Sequence, residues 1–150
     1  MYVFLKGGVI LKNATRLIIE DENGIWFIKR RKKVNGKIEE FYVLPGGMLD
    51  EGEDYITAGI REAYEELSVK VKIEELFTEL YVEELDKFEK YYFAKIVSGK
   101  PKCGTGEEFK NQSIESKYGT YEVVKLNKLE LGAYRILPVS IKDKLVATYV

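Results

Sequence analysis

Four glutamates, Glu53, Glu62, Glu65 and Glu66, stand out within PGGMLDEGEDYITAGIREAYEELSV, the span from Pro45 to Val69. Glu62, Glu65 and Glu66 are related by steps of three and four, so a helix would place them on one side. Like charges at that spacing repel, weakly when exposed and more strongly where water is excluded. A divalent cation reverses the sign, because a hard ion gathers several anionic oxygens at roughly 2.0–2.6 Å. The plainer reading is a solvated acidic face relieved by Arg61. Glu53 also reads as the partner of Asp50 in a capping-box-like helix start, and Gly46 and Gly47 as turn residues. Ala58, one turn before Glu62, leaves room on the acidic side for a ligand to approach.

The absences narrow the chemistry further. The chain has no histidine and one cysteine, Cys103. Ser-His-Asp and Cys-His nucleophiles and His-rich zinc sites are therefore excluded, and chemistry falls to carboxylates, Lys, Arg, Tyr or hydroxyls. A metal at such oxygen donors would be Mg²⁺ or Mn²⁺ ahead of Ca²⁺. A formal net charge of −1 argues against general nucleic-acid binding. The opening MYVFLKGGVILK is too interrupted for a signal peptide and too short to span a bilayer, and a lone cysteine suits a reducing compartment, so a cytoplasmic protein with no membrane partner is expected.

These side chains need elements to position them. With 150 residues, 45% hydrophobic and 33% charged, the chain reads as one domain over residues 1–150. Two apolar runs around the turn-forming Asp21 to Gly24 predict a hairpin, Asn35-Gly36 predicts a second turn, and FYVLP follows as a strand. From Asp54 to Leu67 the period becomes helical, with Ile56, Ile60, Ala63 and Leu67 as the core-facing set. VKVKIEELFTELYVEE and FEKYYFAKIVSG predict a long hairpin turning near Asp86-Lys87. A long loop from Gly99 to about Gly119 follows, then a strand in TYEVVKLNKL and a closing helix begun by Ser140. The fold class is α/β, a mixed β-sheet with helices on its faces.

Taken in order, Gly47, five residues, Glu53, seven residues, then Arg61-Glu62-Ala63-x-Glu65-Glu66-x-Ser68-Val69 resembles the Nudix box, the signature of the Nudix hydrolase superfamily. Every charged position of that signature is present. Ser68 stands where the family has glycine; if the position is left-handed, serine there costs about 1 kcal/mol. Ala63 replaces a larger aliphatic residue.

The resemblance implies an α/β/α sandwich and hydrolysis of a pyrophosphate linkage in a nucleoside diphosphate derivative, with Mg²⁺ or Mn²⁺ as cofactor. Carried onto the matching positions, it makes Glu62, Glu65 and Glu66 the metal-binding set, with a carbonyl from the Gly47 region and Glu53 nearby. Arg61 would orient the carboxylates, and Gly46 and Gly47 would bring backbone close to the substrate. The family's general base is a box glutamate or one from the loop after the sheet, so Glu108 is the first loop candidate, Glu107 the second and Glu115 the third, with Glu62 the choice inside the box. Within Lys29-Arg30-Arg31-Lys32-Lys33, Arg30 is the expected phosphate contact; the rest read equally as a solvated edge. Tyr2, Phe4, Trp26 and Tyr42 could stack on a base or belong to the core. Features tied to NADH, ADP-ribose and coenzyme A cleavage are missing, which leaves nucleoside triphosphates, nucleotide sugars and dinucleoside polyphosphates. A homodimer is common among such relatives. The rival reading is a module of the same fold that binds a nucleotide without turnover.

Overall fold

The computed structural model describes residues 2–4, 10–110 and 112–149. The chain opens with β1 (Tyr2–Phe4) and β2 (Ile10–Ile19), paired antiparallel. In β2, Leu17, Ile18 and Ile19 are all fully buried, so both faces of the strand need cover. That requirement defeats the hairpin expected after it. The turn is present, with Asp21 Oδ1 accepting the Asn23 and Gly24 N–H groups at 2.9 Å each. After a single bridge between Glu20 and Ile25, however, β3 (Gly24–Val34) leaves for a second sheet.

The turn at Asn35-Gly36 behaves as its sequence predicts. Both residues have positive φ, 51° and 79°, and join β3 to β4 (Lys37–Val43) in antiparallel register. The chain then crosses back at Leu44-Pro45 into β5 (Gly46–Met48), which pairs with β2 so that Arg16 lies opposite Gly46 and Thr15 opposite Gly47. Helix α1 (Tyr55–Leu67) follows, begun by Asp54, whose side chain accepts the Thr57 N–H. The long hairpin β6 (Lys70–Val82) and β7 (Lys87–Ser98) lays β7 parallel to β2 and leaves β6 at the edge. After the long loop, β8 (Thr120–Asn127) joins β3, and α2 (Val139–Tyr149) closes the chain.

The architecture is thus a mixed α/β fold of two sheets, ordered β1-β2-β7-β6 with β5 beside β2, and β4-β3-β8. Alternation along β2 sends Leu17 and Ile19 into one core with Ala63 and Leu67 of α1, and Ile18 into another with Ile141 and Leu145 of α2. Each such buried aliphatic side chain contributes roughly 1.5–3 kcal/mol. The helices therefore cover opposite faces. No helix among the described residues is long and apolar enough to cross a membrane.

The buried face of α1 differs from the one its periodicity predicts. Ala58, Gly59, Ala63, Glu66 and Leu67 are buried, whereas Ile56 and Ile60 are each 40% exposed. The helix lies close on the sheet: a Cβ on Gly59 would come within 3.0–3.3 Å of Thr15, Leu17 and Ile73 side-chain atoms. Close approach selects small residues for the contact and leaves the isoleucines at its rim. Ala58 is accordingly filled in rather than open to a ligand. At the other end Ser68 adopts φ 60° and ψ 32°, the left-handed conformation that favours glycine there.

Candidate active site

The crossing at Leu44-Pro45 brings both sheets and α1 to one place. A cleft of about 350 Å³ there is lined by Arg16, Gly46 and Gly47 from the first sheet, Ile28, Arg30, Val43 and Tyr121 from the second, Glu62 and Glu66 from α1, and Glu108 from the long loop. Five of the expected site residues besides Arg30, namely Gly46, Gly47, Glu62, Glu66 and Glu108, thus meet across one opening.

Backbone fit at the glycines is tight. A Cβ on Gly46, whose φ is 145°, would lie 2.0 Å from the Thr15 carbonyl oxygen, so only glycine lets β5 pair here. The Gly46 N–H donates to Glu66 Oε1 at 2.6 Å, and a Cβ on Gly47 would fall 2.5 Å from Glu62 Oε1. Both glycines therefore hold the chain directly against the two carboxylates.

Arg61 organises the rest of the acidic set. Its Nε and Nη2 donate to the two Glu53 oxygens at 2.8 and 3.0 Å, its Nη1 to Glu62 and Glu65 at 3.1 and 3.0 Å, and Nη2 also to the Met48 carbonyl. Asp50 approaches Nε at 3.2 Å. The Asp50–Glu53 contact expected at a helix start does occur, since Glu53 Oε1 accepts the Asp50 N–H at 2.7 Å, but it belongs to the turn before the helix that Asp54 caps. The Arg61 hydrogen bonds hold the Glu53 carboxyl below the usual carboxylate range, against burial.

Glu62 and Glu66 are less well compensated. Burial pushes the Glu62 carboxyl up, opposed by Arg61 and reinforced by Glu65. Glu66 is held well above the usual range, by burial first and then Glu62; Arg16 and the Gly46 N–H pull it down, and Glu108 adds to the rise. Among the described residues, no three acidic or cysteine side chains close on one point at ligating distance. Glu65, 41% exposed at its side chain, is turned to Arg61 rather than into the cleft. The donor set nevertheless fits a hard cation: two carboxylates that repel one another, backed by close-set backbone, with no nitrogen or sulfur donor among them.

Positive charge faces them. Arg30 stacks on the Tyr121 ring at 3.8 Å from its centroid and donates from Nη2 to the Tyr118 carbonyl oxygen at 2.5 Å, while its Nε has no hydrogen-bond partner among the described residues. Its neighbours are spent elsewhere, Lys29 and Arg31 on Glu40 and Lys33 on Glu115. That pairing keeps Glu115 from the cleft. The Glu107 side chain, like those of Tyr2 and Phe4, lies outside the described residues. Tyr42 is core, Trp26 packs against the core on the α1 side, and Cys103 is exposed.

Sequence reading missed Arg16 and Tyr121. Arg16 donates to Glu89 at 3.0 Å and to the Leu44 and Gly46 carbonyls at 3.2 Å each, pinning the crossing that makes the cleft. Its signal was a charge inside the otherwise buried run ATRLII. Tyr121 carried none.

Comparison with known proteins bears on the family and the fold. The family model described as a NUDIX domain matches residues 11–138. A NUDIX hydrolase structure from Nitrosomonas europaea is similar at 22% identity and a TM-score of 0.65, covering 97% of this chain and 82% of that one. A MutT structure, from work on the Aliivibrio salmonicida and Vibrio cholerae proteins, gives 20% identity and 0.61 over 92% and 98%. An ADP-ribose pyrophosphatase from Streptococcus suis gives 14% and 0.62 over 91% and 90%. No protein of curated function matches the sequence.

Proposed function

The chain belongs to the NUDIX family of hydrolases acting on phosphoric anhydride bonds, and from that premise we propose that it cleaves the pyrophosphate linkage of a nucleoside diphosphate derivative with Mg²⁺, or Mn²⁺, as cofactor. The observation that carries this reading is the pairing of Glu66, buried, with Glu62, half-buried and repelling it, opposite Arg30 in one cleft. A divalent ion bound there would neutralise phosphate charge and lower the pKa of bound water.

The protein's own groups do the rest. Glu62 and Glu66 would hold the cation, with Glu65 and a carbonyl of the Gly46-Gly47 segment as the further oxygen donors. Arg61 fixes Glu53 and Glu62 so that little reorganisation accompanies binding. Arg30 binds a phosphate oxygen through the donors it has to spare, its ring stacking setting the direction of the guanidinium plane. Glu108 Oε accepts the proton of the attacking water, as histidine is absent. Nucleoside triphosphates, nucleotide sugars and dinucleoside polyphosphates are the candidate substrates, and the working compartment is the cytoplasm.

A panel of those compounds with Mg²⁺, scored by ³¹P NMR for the bond broken, tests the reading. At least one should be cleaved at its anhydride, and Glu66→Gln should lower kcat/KM by roughly 100-fold or more. Failure to cleave any of them, or full activity in Glu66→Gln, would remove the proposal.

A further inference from the structure

The final four carbonyls of a helix have no partner inside it. In α1 the Tyr64 carbonyl accepts the Ser68 N–H at 3.0 Å, the left-handed cap. The other three accept from the long loop: Leu67, Glu66 and Glu65 carbonyls receive the N–H groups of Lys102, Gly104 and Gly106, each at 3.0 Å. Alternate loop residues thus step backwards along the helix end as a backbone strap. Capping by Ser68 and water would suffice to end a helix, so the strap does something more.

Its seating depends on Gly104. A Cβ there would lie 1.8 Å from the Glu65 carbonyl oxygen and 2.6 and 2.9 Å from the carbonyl carbons of Glu65 and Glu66, all backbone that cannot turn aside. Beyond the strap the loop is anchored again, because the Phe109 N–H donates to the Gly106 carbonyl at 3.1 Å and the Phe109 ring packs against the core on the α1 side, edge-on to Tyr121. Glu108 lies between the two anchors and faces the cleft that Glu62 and Glu66 line.

We propose that Gly104 is a positioning residue: lacking a side chain, it lets the Lys102–Gly106 strap seat on the C-terminal end of α1, and the seated strap fixes Glu108 across the cleft from Glu62 and Glu66. Helix and loop are set relative to each other by three backbone hydrogen bonds, so the distance between the cation site and the proton acceptor is held by the main chain. This inference rests on the hydrolase reading of the cleft.

Two measurements on Gly104→Ala test it. Without substrate, amide exchange at positions 102, 104 and 106 should quicken by about tenfold or more as the strap lifts. With substrate, kcat should fall roughly 10- to 100-fold while KM stays within about threefold, since a displacement of about 1 Å at the reacting centre costs that much. The kinetic loss should vanish when Gly104→Ala is added to Glu108→Gln, because a residue acting through Glu108 has nothing left to misplace. Gly106→Ala guards against misfolding: its Cβ would meet the Glu108 carboxylate oxygens at 2.5 and 2.8 Å instead of backbone, so it should lower kcat with the strap amides still protected. Unchanged exchange in Gly104→Ala, or an undiminished kinetic loss in the Glu108→Gln background, would overturn the proposal. If the wild type turned over no nucleotide, the hydrolase reading would fail and the positioning role with it, and the substrate-free exchange would show whether the strap itself stood.

Discussion

Arg61 carries more of the site than any other side chain, since one guanidinium meets Glu53, Glu62, Glu65, Asp50 and the Met48 carbonyl. A planar fork of five donors can serve partners in several directions; an ammonium cannot hold that geometry. Arg61→Lys should therefore keep the net charge yet weaken Mn²⁺ binding or activity by about 10- to 100-fold. Isothermal titration with Mn²⁺ alongside initial rates would check this, and wild-type values for both would show that charge, not shape, is what Arg61 supplies. The acidic cluster that raised the metal hypothesis thus has two halves. Glu53 and Glu65 are compensated by Arg61, whereas among the described residues Glu66 receives only the Gly46 N–H and the more distant Arg16.

For α1, residue size decides the packing more than hydrophobicity does. Leu67 is fully buried and Ile60 is 40% exposed at its rim. Leu67→Ala should cost about 2–5 kcal/mol and Ile60→Ala about 1 kcal/mol or less, read from urea unfolding midpoints at constant slope. Equal costs would mean that the periodicity-based face was right after all. Local signals are legible in the sequence: the helix itself, the Asn35-Gly36 turn, the β6–β7 hairpin, and the spacing of Gly47, Glu53, Arg61 and Glu62 that marks the family. Choices made between distant segments were not legible. Nothing near Asp21 says that β2 and β3 will part, because the parallel partner of β2 lies far along the chain in β7. The three-residue β5 is too short to show a period, and Gly59 reads as a helix weakener until the sheet beneath it is seen. The same holds for the strap, whose role appears only once the carbonyls of α1 are known to need donors.

In the molecule as a whole, the site exists because two sheets meet at a chain crossing tied by Arg16 and Glu89. Burial alone would raise the Glu89 carboxyl, yet Arg16, Lys87 and the Tyr91 hydroxyl hold it below its ordinary value of 4.5. Lys87 is itself held below its usual range by burial and by Arg16, and Arg16 is the stronger of the two cationic partners of Glu89. A depressed carboxylate contributes stability that is complete above the unfolded value and is lost as pH falls through the lower folded one. Glu89→Ala should thus cost about 3 kcal/mol at pH 7 and progressively less below about pH 4.5, leaving a shallower acid limb in the melting profile. A cost independent of pH would assign the effect to packing. The most direct test of the central claim is anomalous diffraction from crystals soaked in Mn²⁺. The account predicts a peak in the cleft within ligating reach, roughly 2.0–2.6 Å, of Glu62 and Glu66 oxygens. A cleft left empty while Mn²⁺ binds elsewhere, or with both carboxylates still turned to their protein partners, would contradict it.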